Sequence, residues 1–297
     1  MTNSKVWFGV LWKEASFMCF ACIYGIMRYL GGGSSIDIDI ALGAASMVFF
    51  QNLFGTTVML IPTIKIGLVK SLHTNNFRLQ VARAITAVLG ILLWALAMKY
   101  MPVIQVVALR FSGLIFTVIG AKLFLKEQID LHRGIAICCC ILGTGIITRI
   151  DNVFCSTFEL VTLLPIASAV CTTASKIFAK KLINAGDTPQ TMTTYILLLM
   201  VPISFAIALF DWQTPSLVHL PWLALMGLFG AGAHFCFSHA YKLADVTFLM
   251  PFKFSKLIFG TAISYFIFVE VPETNELWVG IAVIILSIVF LAKSKHK

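Results

Sequence analysis

The chain has 297 residues, is 59% hydrophobic and only 12% charged, with a mean hydropathy of +0.94; an ordinary soluble domain is about 25% charged. That balance excludes a soluble globular protein and points to an all-α membrane protein. A net charge of +9 could suggest nucleic acid, but in so apolar a chain the asymmetry of basic residues across a bilayer explains it better.

Apolar runs of roughly 18 or more residues recur along the whole chain, each long enough to cross a ~30 Å hydrocarbon core as a helix rising ~1.5 Å per residue. In chain order the expected spans are about ten: 14–30, 41–61, 79–98, 103–125, 132–148, 158–179, 190–210, 219–241, 246–268 and 276–292. The first run lacks the small-residue cleavage site of a secretory leader, so it reads as a retained span. With the N-terminus inside, sixteen basic residues, among them Lys13, Arg83 and Lys180, fall at cytoplasmic ends and loops, against Arg28, Lys99 and Arg149 outside. Both termini are therefore expected in the cytoplasm.

The eight cysteines do not form a disulfide framework. Cys138, Cys139 and Cys140 are consecutive and point to different helix faces, and Cys19 and Cys22 lie inside an apolar run. They read as small fillers at helix contacts. Only Cys155 is expected in a loop.

Within span four, LRFSGLIF (Leu109 to Phe116) carries Arg110 far from either end, and FKFSKLIF (Phe252 to Phe259) repeats the pattern with Lys253. Residues 97–127 laid on 240–270 without a gap match at nine of thirty-one positions, including Ala97, Lys99, Phe111, Ser112 and Glu127. Arg28 to Leu30 echoes Lys180 to Leu182 more weakly. The expected organisation is two five-helix repeats, 1–150 and 151–297. Five is odd, so the second repeat enters the membrane from the opposite side, the inverted arrangement that secondary transporters use for alternating access.

Arg110 and Lys253 then approach the midplane from opposite faces, each ~12 Å deep, and Lys256 lies one turn beyond Lys253. An intramembrane charge costs ~2.5–3.5 kcal/mol on the mild insertion scale. Glu14, Glu127, Glu159 and Glu270 all fall near expected helix ends, leaving no mid-span carboxylate to compensate. A bound carboxylate or phosphate is the economical partner; snorkelling, or contacts to carbonyls, is the alternative. Gln51 and Asn52 can donate to a substrate or bond between helices. Trp94, its repeat counterpart Phe237, Tyr195 and Tyr265 can wall a cavity or simply pack. His234 and His239 are the candidates for proton coupling, or ordinary buried histidines.

The stretch ALAMKYMP (Ala95 to Pro102), followed by ALRFSGLIFTVIGAKLFLKE, resembles the EamA-type signature of the drug/metabolite transporter superfamily. HAYKLADVTFLMPFKFSKLIFGTAISYFIFVEVP resembles it a second time. Leu114 stands where many members have proline, and Lys253 where relatives often have an acidic or neutral residue. The resemblance implies a ten-helix bundle whose cavity is walled by spans one to four and six to nine, in a bacterial inner membrane. Members include carriers of S-adenosylmethionine, riboflavin and amino acids, and the cationic pair on spans four and nine has an analogue in the sugar-phosphate translocators.

The expected function is secondary transport of a small polar metabolite bearing a carboxylate or phosphate, with exchange or facilitated movement ranked first because no mid-span acid is in view. S-adenosylmethionine uptake and amino-acid or drug efflux are the alternatives. A membrane-embedded transferase is remote, since no HExxH, HxxxxD or carboxylate cluster occurs, and no nucleotide-binding GxxxxGK[ST] loop is present to couple ATP. No cofactor or metal is expected. The expected partners are a small-molecule substrate and the lipid bilayer, with no nucleic acid; a homodimer is left open.

Overall fold

In lipid, every backbone N–H and C=O must be satisfied within the protein, which leaves the helix as the way for an apolar run to cross. The computed structural model describes residues 3–31, 42–67, 72–100, 112–127 and 160–255, with isolated positions elsewhere. Its α-helices are α1 (Asn3–Leu30), α2 (Ala44–Ile66), α3 (Phe77–Tyr100), α4 (Ser112–Leu125), α5 (Leu163–Asn184), α6 (Pro189–Ala208) and α7 (Leu220–Leu243). Short 3-10 turns cover Leu160–Thr162, Leu209–Asp211 and Pro251–Phe254. Among the described residues, five segments are long and apolar enough to span: Lys5–Met27, Ala44–Lys65, Phe77–Trp94, Pro189–Ala208 and Leu220–Leu243. Expected spans five and ten, and most of span nine, lie outside the described residues.

The chain divides into two compact units that do not follow the sequence halves. The first comprises Met1–Ala84, Leu182–Leu243 and Ser255–Val271; the second comprises Ile85–Lys181, Ala244–Phe254 and Pro272–Lys297.

In the first unit, α7 packs against α1, α2 and α6, and α2 also packs against α6. Small residues set the closest approach, as expected where apolar tails outside the bundle give helices little hydrophobic reason to associate. A Cβ on Gly55 would stand 3.2 Å from the Gly227 carbonyl oxygen, and one on Gly227 would stand 2.7 Å from the Gly55 nitrogen. Ile23, Ile26, Leu30, Leu42, Met47, Leu223 and Met226 form a buried cluster. The Ser16 hydroxyl donates to the Ala233 carbonyl at 2.9 Å, tying α1 to α7.

Polar contacts fasten the ends of this unit. Asp187 accepts from the Thr74 hydroxyl (2.9 Å to one oxygen) and from Gln80 Nε2 (2.9 Å). Next to it, Thr188 caps α6 by accepting from the Thr191 amide, with Pro189 opening the helix. Thr63 and Thr194 share a hydrogen bond at 3.2 Å between α2 and α6. At the other end, Gln213 accepts from the Gly43 amide, and its own amide donates to Ser46. Trp212 lies against Phe49, Phe50 and Phe205.

In the second unit α5 packs through small residues. The Ser168 hydroxyl donates to the Gly90 carbonyl at 2.6 Å, and Thr173 donates to the Gly113 carbonyl at 3.2 Å. Gly90, Gly113 and Gly120 face Thr172, Ala169 and Ile177 of α5. Beyond α4, Lys126 turns into the left-handed region (φ 55), and the Glu127 amide reaches back to the Ala121 carbonyl at 3.2 Å. A left-handed residue just past a helix end is usually glycine. Replacing Lys126 with Gly is expected to raise thermal stability, by up to about 1 kcal/mol; a lower melting temperature would mean the lysine side chain contributes something the glycine cannot replace.

Glu127 then caps the segment following α7. Its carboxylate accepts from the Val246 amide (2.9 Å), the Thr247 amide (3.0 Å) and the Thr247 hydroxyl (2.7 Å). Lys180 donates from Nζ to the Ala244 carbonyl at 2.7 Å, with Asp245 and Glu127 as electrostatic neighbours. An anion and a cation thus serve the free amides and the free carbonyl of one break between helices.

The Ser16–Ala233 and Ser168–Gly90 bonds have a further relation. The offset of 152 residues that carries Arg28 onto Lys180 also carries Ser16 onto Ser168, while the offset of 143 carries Gly90 onto Ala233. The same donor and the same carbonyl position recur, once in each unit.

Candidate substrate site

The structure moves two cations that the sequence reading placed at cytoplasmic ends. α1 begins at Asn3, not near residue 14, so Lys13 and Glu14 fall within the spanning segment Lys5–Met27, close to its middle. Lys13 is only 4% exposed and Arg83 2% exposed. The expectation that no carboxylate lies mid-span is corrected in the same way: Glu14 is mid-helix, where it accepts from the Ser255 hydroxyl at 2.9 Å. The Lys13–Glu14 pair looks like the edge of an apolar run, although VWFGVLW precedes it and is just as apolar.

Each of these groups is held by the first unit. The Lys13 ammonium lies 3.8 Å from the Phe237 ring centroid, 4.5 Å from Tyr241 and 5.1 Å from Phe17. Such faces attract a desolvated cation by up to ~2 kcal/mol. Arg83, on α3, donates to the Met192 carbonyl of α6 at 3.1 Å and interacts electrostatically with Tyr241 and His234 of α7. Tyr241 therefore lies against the Lys13 ammonium and has Arg83 as an electrostatic neighbour.

An aromatic lattice continues along the α1–α7 contact. Trp12 stacks at a tilt on His239 with centroids 4.8 Å apart and meets Phe235 edge-on at 6.1 Å. Phe20 meets His234 edge-on at 5.7 Å. Phe237 and Tyr241 lie 4.3 Å apart. The rings pack on one another beside positive charge.

The residues singled out from sequence fall into three groups. His234, His239 and Phe237 belong to this lattice. Asn52 is buried and donates to the Ser204 hydroxyl at 3.3 Å, bonding α2 to α6; Gln51 packs beside Gly230 of α7; Tyr195 donates to the Leu72 carbonyl at 2.8 Å and rests edge-on against Phe77, fastening a linker. Lys253 lies in the 3-10 turn Pro251–Phe254 and Trp94 on α3, both half-buried and both in the second unit. Arg110, Lys256 and Tyr265 lie outside the described residues. Sequence reasoning missed Lys13, Glu14, Gln80, Arg83, Ser238 and Tyr241. The available signal for Arg83 was its setting, VARAITAVLGILLW, a fourteen-residue apolar stretch in which it is the one charge.

Comparison with known proteins settles the class. The EamA-like transporter family matches residues 7–149 and again residues 160–293. The chain belongs to the EamA-like transporter family. It is an integral membrane protein and a transporter of a small molecule. It is 32% identical to a riboflavin transporter of Vibrio cholerae, over 97% of this chain and 94% of that one. A riboflavin transporter of Rhizobium johnstonii is 27% identical over 99% of this chain and 94% of its own. An S-adenosylmethionine uptake transporter of Rickettsia bellii is 25% identical over 97% and 94%. A solved crystal structure superimposes on 93% of this EamA chain and 95% of its own with a TM-score of 0.73 at 14% identity, a likeness of fold.

Proposed function

We propose that this EamA transporter carries riboflavin or a closely related flavin by alternating access between two inverted five-helix repeats. The observation that carries the substrate reading is the aromatic lattice of α1 and α7 beside Lys13 and Arg83, taken with the 32% identity to a riboflavin transporter across nearly the whole chain. A flavin presents a flat electron-poor ring with carbonyl oxygens on one edge and a neutral polyol on the other, so rings can stack on it and cations can meet the oxygens. The repeat reading is supported by the family's double match and by the recurrence of the Ser16–Ala233 bond as Ser168–Gly90.

A neutral guest also avoids the electrical work of ~2.3 kcal/mol per charge per 100 mV that importing an anion requires. Facilitated movement or exchange follows as the transport mode, with both termini cytoplasmic. Glu14 is mid-span, but it lies beside Lys13 and is already bonded to Ser255. The second reading keeps a carboxylate- or phosphate-bearing metabolite, gripped by Arg110, Lys253 and Lys256; the burial of Lys13 and Arg83 favours it. S-adenosylmethionine would place its sulfonium among these cations, which is unfavourable.

Proteoliposomes given labelled riboflavin, flavin mononucleotide or S-adenosylmethionine separate the readings. Saturable riboflavin entry, accelerated by unlabelled riboflavin inside, is the expected result. Entry of the phosphorylated flavin without riboflavin would establish the anion reading, and entry of S-adenosylmethionine alone would overturn both.

A further inference from the structure

α4 presents two unlike faces. On one, Gly113, Thr117 and Gly120 meet Ala169, Thr173 and Ile177 of α5: a Cβ on Gly113 would stand 3.2 Å from the Ala169 Cβ, and the Thr117 and Thr173 hydroxyls lie 3.1 Å apart. These pairs advance together along both helices, which therefore run parallel and end side by side. There Lys181 Nζ lies 5.0 Å from the centroid of the Phe124 ring. On the other face Ile115, Ile119 and Leu123 recur every four residues and are 53%, 49% and 66% exposed. The stripe ends on two exposed lysines, Lys122 in the last turn of α4 and Lys126 just beyond it. Lys122 follows Ile119 by three residues and so shares its side of the helix.

Two observations mark this pair of lysines. The acid beside them, Glu127, is engaged elsewhere: both of its oxygens accept from Val246 and Thr247. Lys126 also holds a φ of 55, where the Cβ of any side chain crowds the following carbonyl. Strain of that kind at a non-glycine residue points to a use for its side chain. In a bilayer, an apolar stripe that terminates in two ammonium groups matches the outline of a phospholipid, an acyl chain leading to a phosphate.

We propose that this outward face of α4 binds an anionic phospholipid, with an acyl chain along Ile115, Ile119 and Leu123 and the headgroup phosphate between Lys122 and Lys126. Lys181 adds positive potential at the same level from the neighbouring helix end. A phosphatidylglycerol, whose net charge is negative, gains from each of these ammonium groups. A phosphatidylcholine offers the same phosphate together with a choline cation that the lysines repel. The inference uses none of the residues of the α1–α7 lattice, and it does not depend on which guest is carried.

Native mass spectrometry of the purified full-length chain, titrated with dioleoylphosphatidylglycerol or dioleoylphosphatidylcholine, tests this. The first phosphatidylglycerol is expected to bind at least about tenfold more tightly than the first phosphatidylcholine. Lys122→Gln with Lys126→Gln should remove that preference. Lys5→Gln with Lys65→Gln, which deletes the same charge from exposed positions on α1 and α2, should retain it, and Leu123→Ala should weaken both lipids alike. Equal binding of the two lipids by wild-type protein overturns the proposal, as does a preference that survives the first pair of substitutions. Equal loss in both double variants overturns it too, in favour of diffuse attraction to net charge. Displacement of the lipid by inorganic phosphate at constant ionic strength would make a free anion the occupant, and lipid retained only by a two-chain species would give the face to a second copy; either result sinks the lipid site. The lipid comparison uses wild-type protein, so it stands even if a variant fails to fold.

Discussion

Gly227→Ala should deprive the protein of most of its thermal stability in detergent. The added methyl would lie 2.4 Å from Phe54 Cβ, 2.7 Å from the Gly55 nitrogen and 2.9 Å from the Phe54 carbonyl carbon. Those neighbours are the backbone of α2 and the root of a side chain, which no rotamer change can withdraw. The helices must part by about 1 Å, surrendering contacts along α2 and α7, and overpacking of this kind costs about 3 kcal/mol or more. Gly230→Ala, one turn along, supplies the control. Its methyl would meet the Gln51 amide nitrogen at 3.1 Å, the far end of a flexible side chain, and the loss should be under about 1 kcal/mol. Melting followed with a thiol-reactive dye is convenient, since the described cysteines are free. Equal losses at the two glycines would show that helix propensity, not close approach, governs this contact.

Glu127→Ala should be nearly as damaging, for an electrostatic reason. Hydrogen bonds to a charged group contribute about 1.5–3 kcal/mol each, and this carboxylate accepts three. They are not additive, so a loss of about 3–5 kcal/mol is expected. Glu127→Gln is the informative companion. The amide keeps one acceptor but turns an N–H2 toward a backbone N–H, so it should recover less than half of the loss. Lys180 would then remain near the break between helices with Asp245 as its nearest acidic neighbour. Full recovery by glutamine would mean that shape, not acceptor chemistry, holds the residues after α7. Transport measured on protein that survives purification would separate this structural effect from any on the guest.

How much of this was legible in the sequence depends on which physical signal was read. The spanning helices follow from the length of apolar runs, because lipid admits no other use for them. The expectation of a repeat rests on LRFSGLIF and FKFSKLIF, and the offset between them also connects Gly90 to Ala233, both carbonyl acceptors from a serine. The burial of Lys13 is not legible, because a charge ordinarily marks a span's edge. That rule fails where a charged side chain finds aromatic faces inside the bundle, as Lys13 does against Phe237 and Tyr241. Those rings lie more than two hundred positions away, and periodicity within α1 carries no trace of them. Gln80 Oε1 and Ser238 Oγ, sealed without a hydrogen-bond partner, are harder still: a lone polar residue in an apolar helix looks the same whether it is bonded or orphaned, and only the packed structure tells the two apart. Glu127 was noticed as part of a motif, whereas its role as a cap for Val246 and Thr247 needed the fold.

The pairing of α1 with α7 also governs how the protein is made. When the ribosome delivers the first helix to the translocon, Lys13 and Glu14 enter the bilayer without Phe237, Tyr241 or Ser255, at an insertion cost of ~2.5–3.5 kcal/mol for each charge. At ~5–20 residues per second the missing helix emerges only after tens of seconds. Throughout that interval the packing around Lys13 and Glu14 is incomplete. A truncated product ending before residue 220 can never complete it.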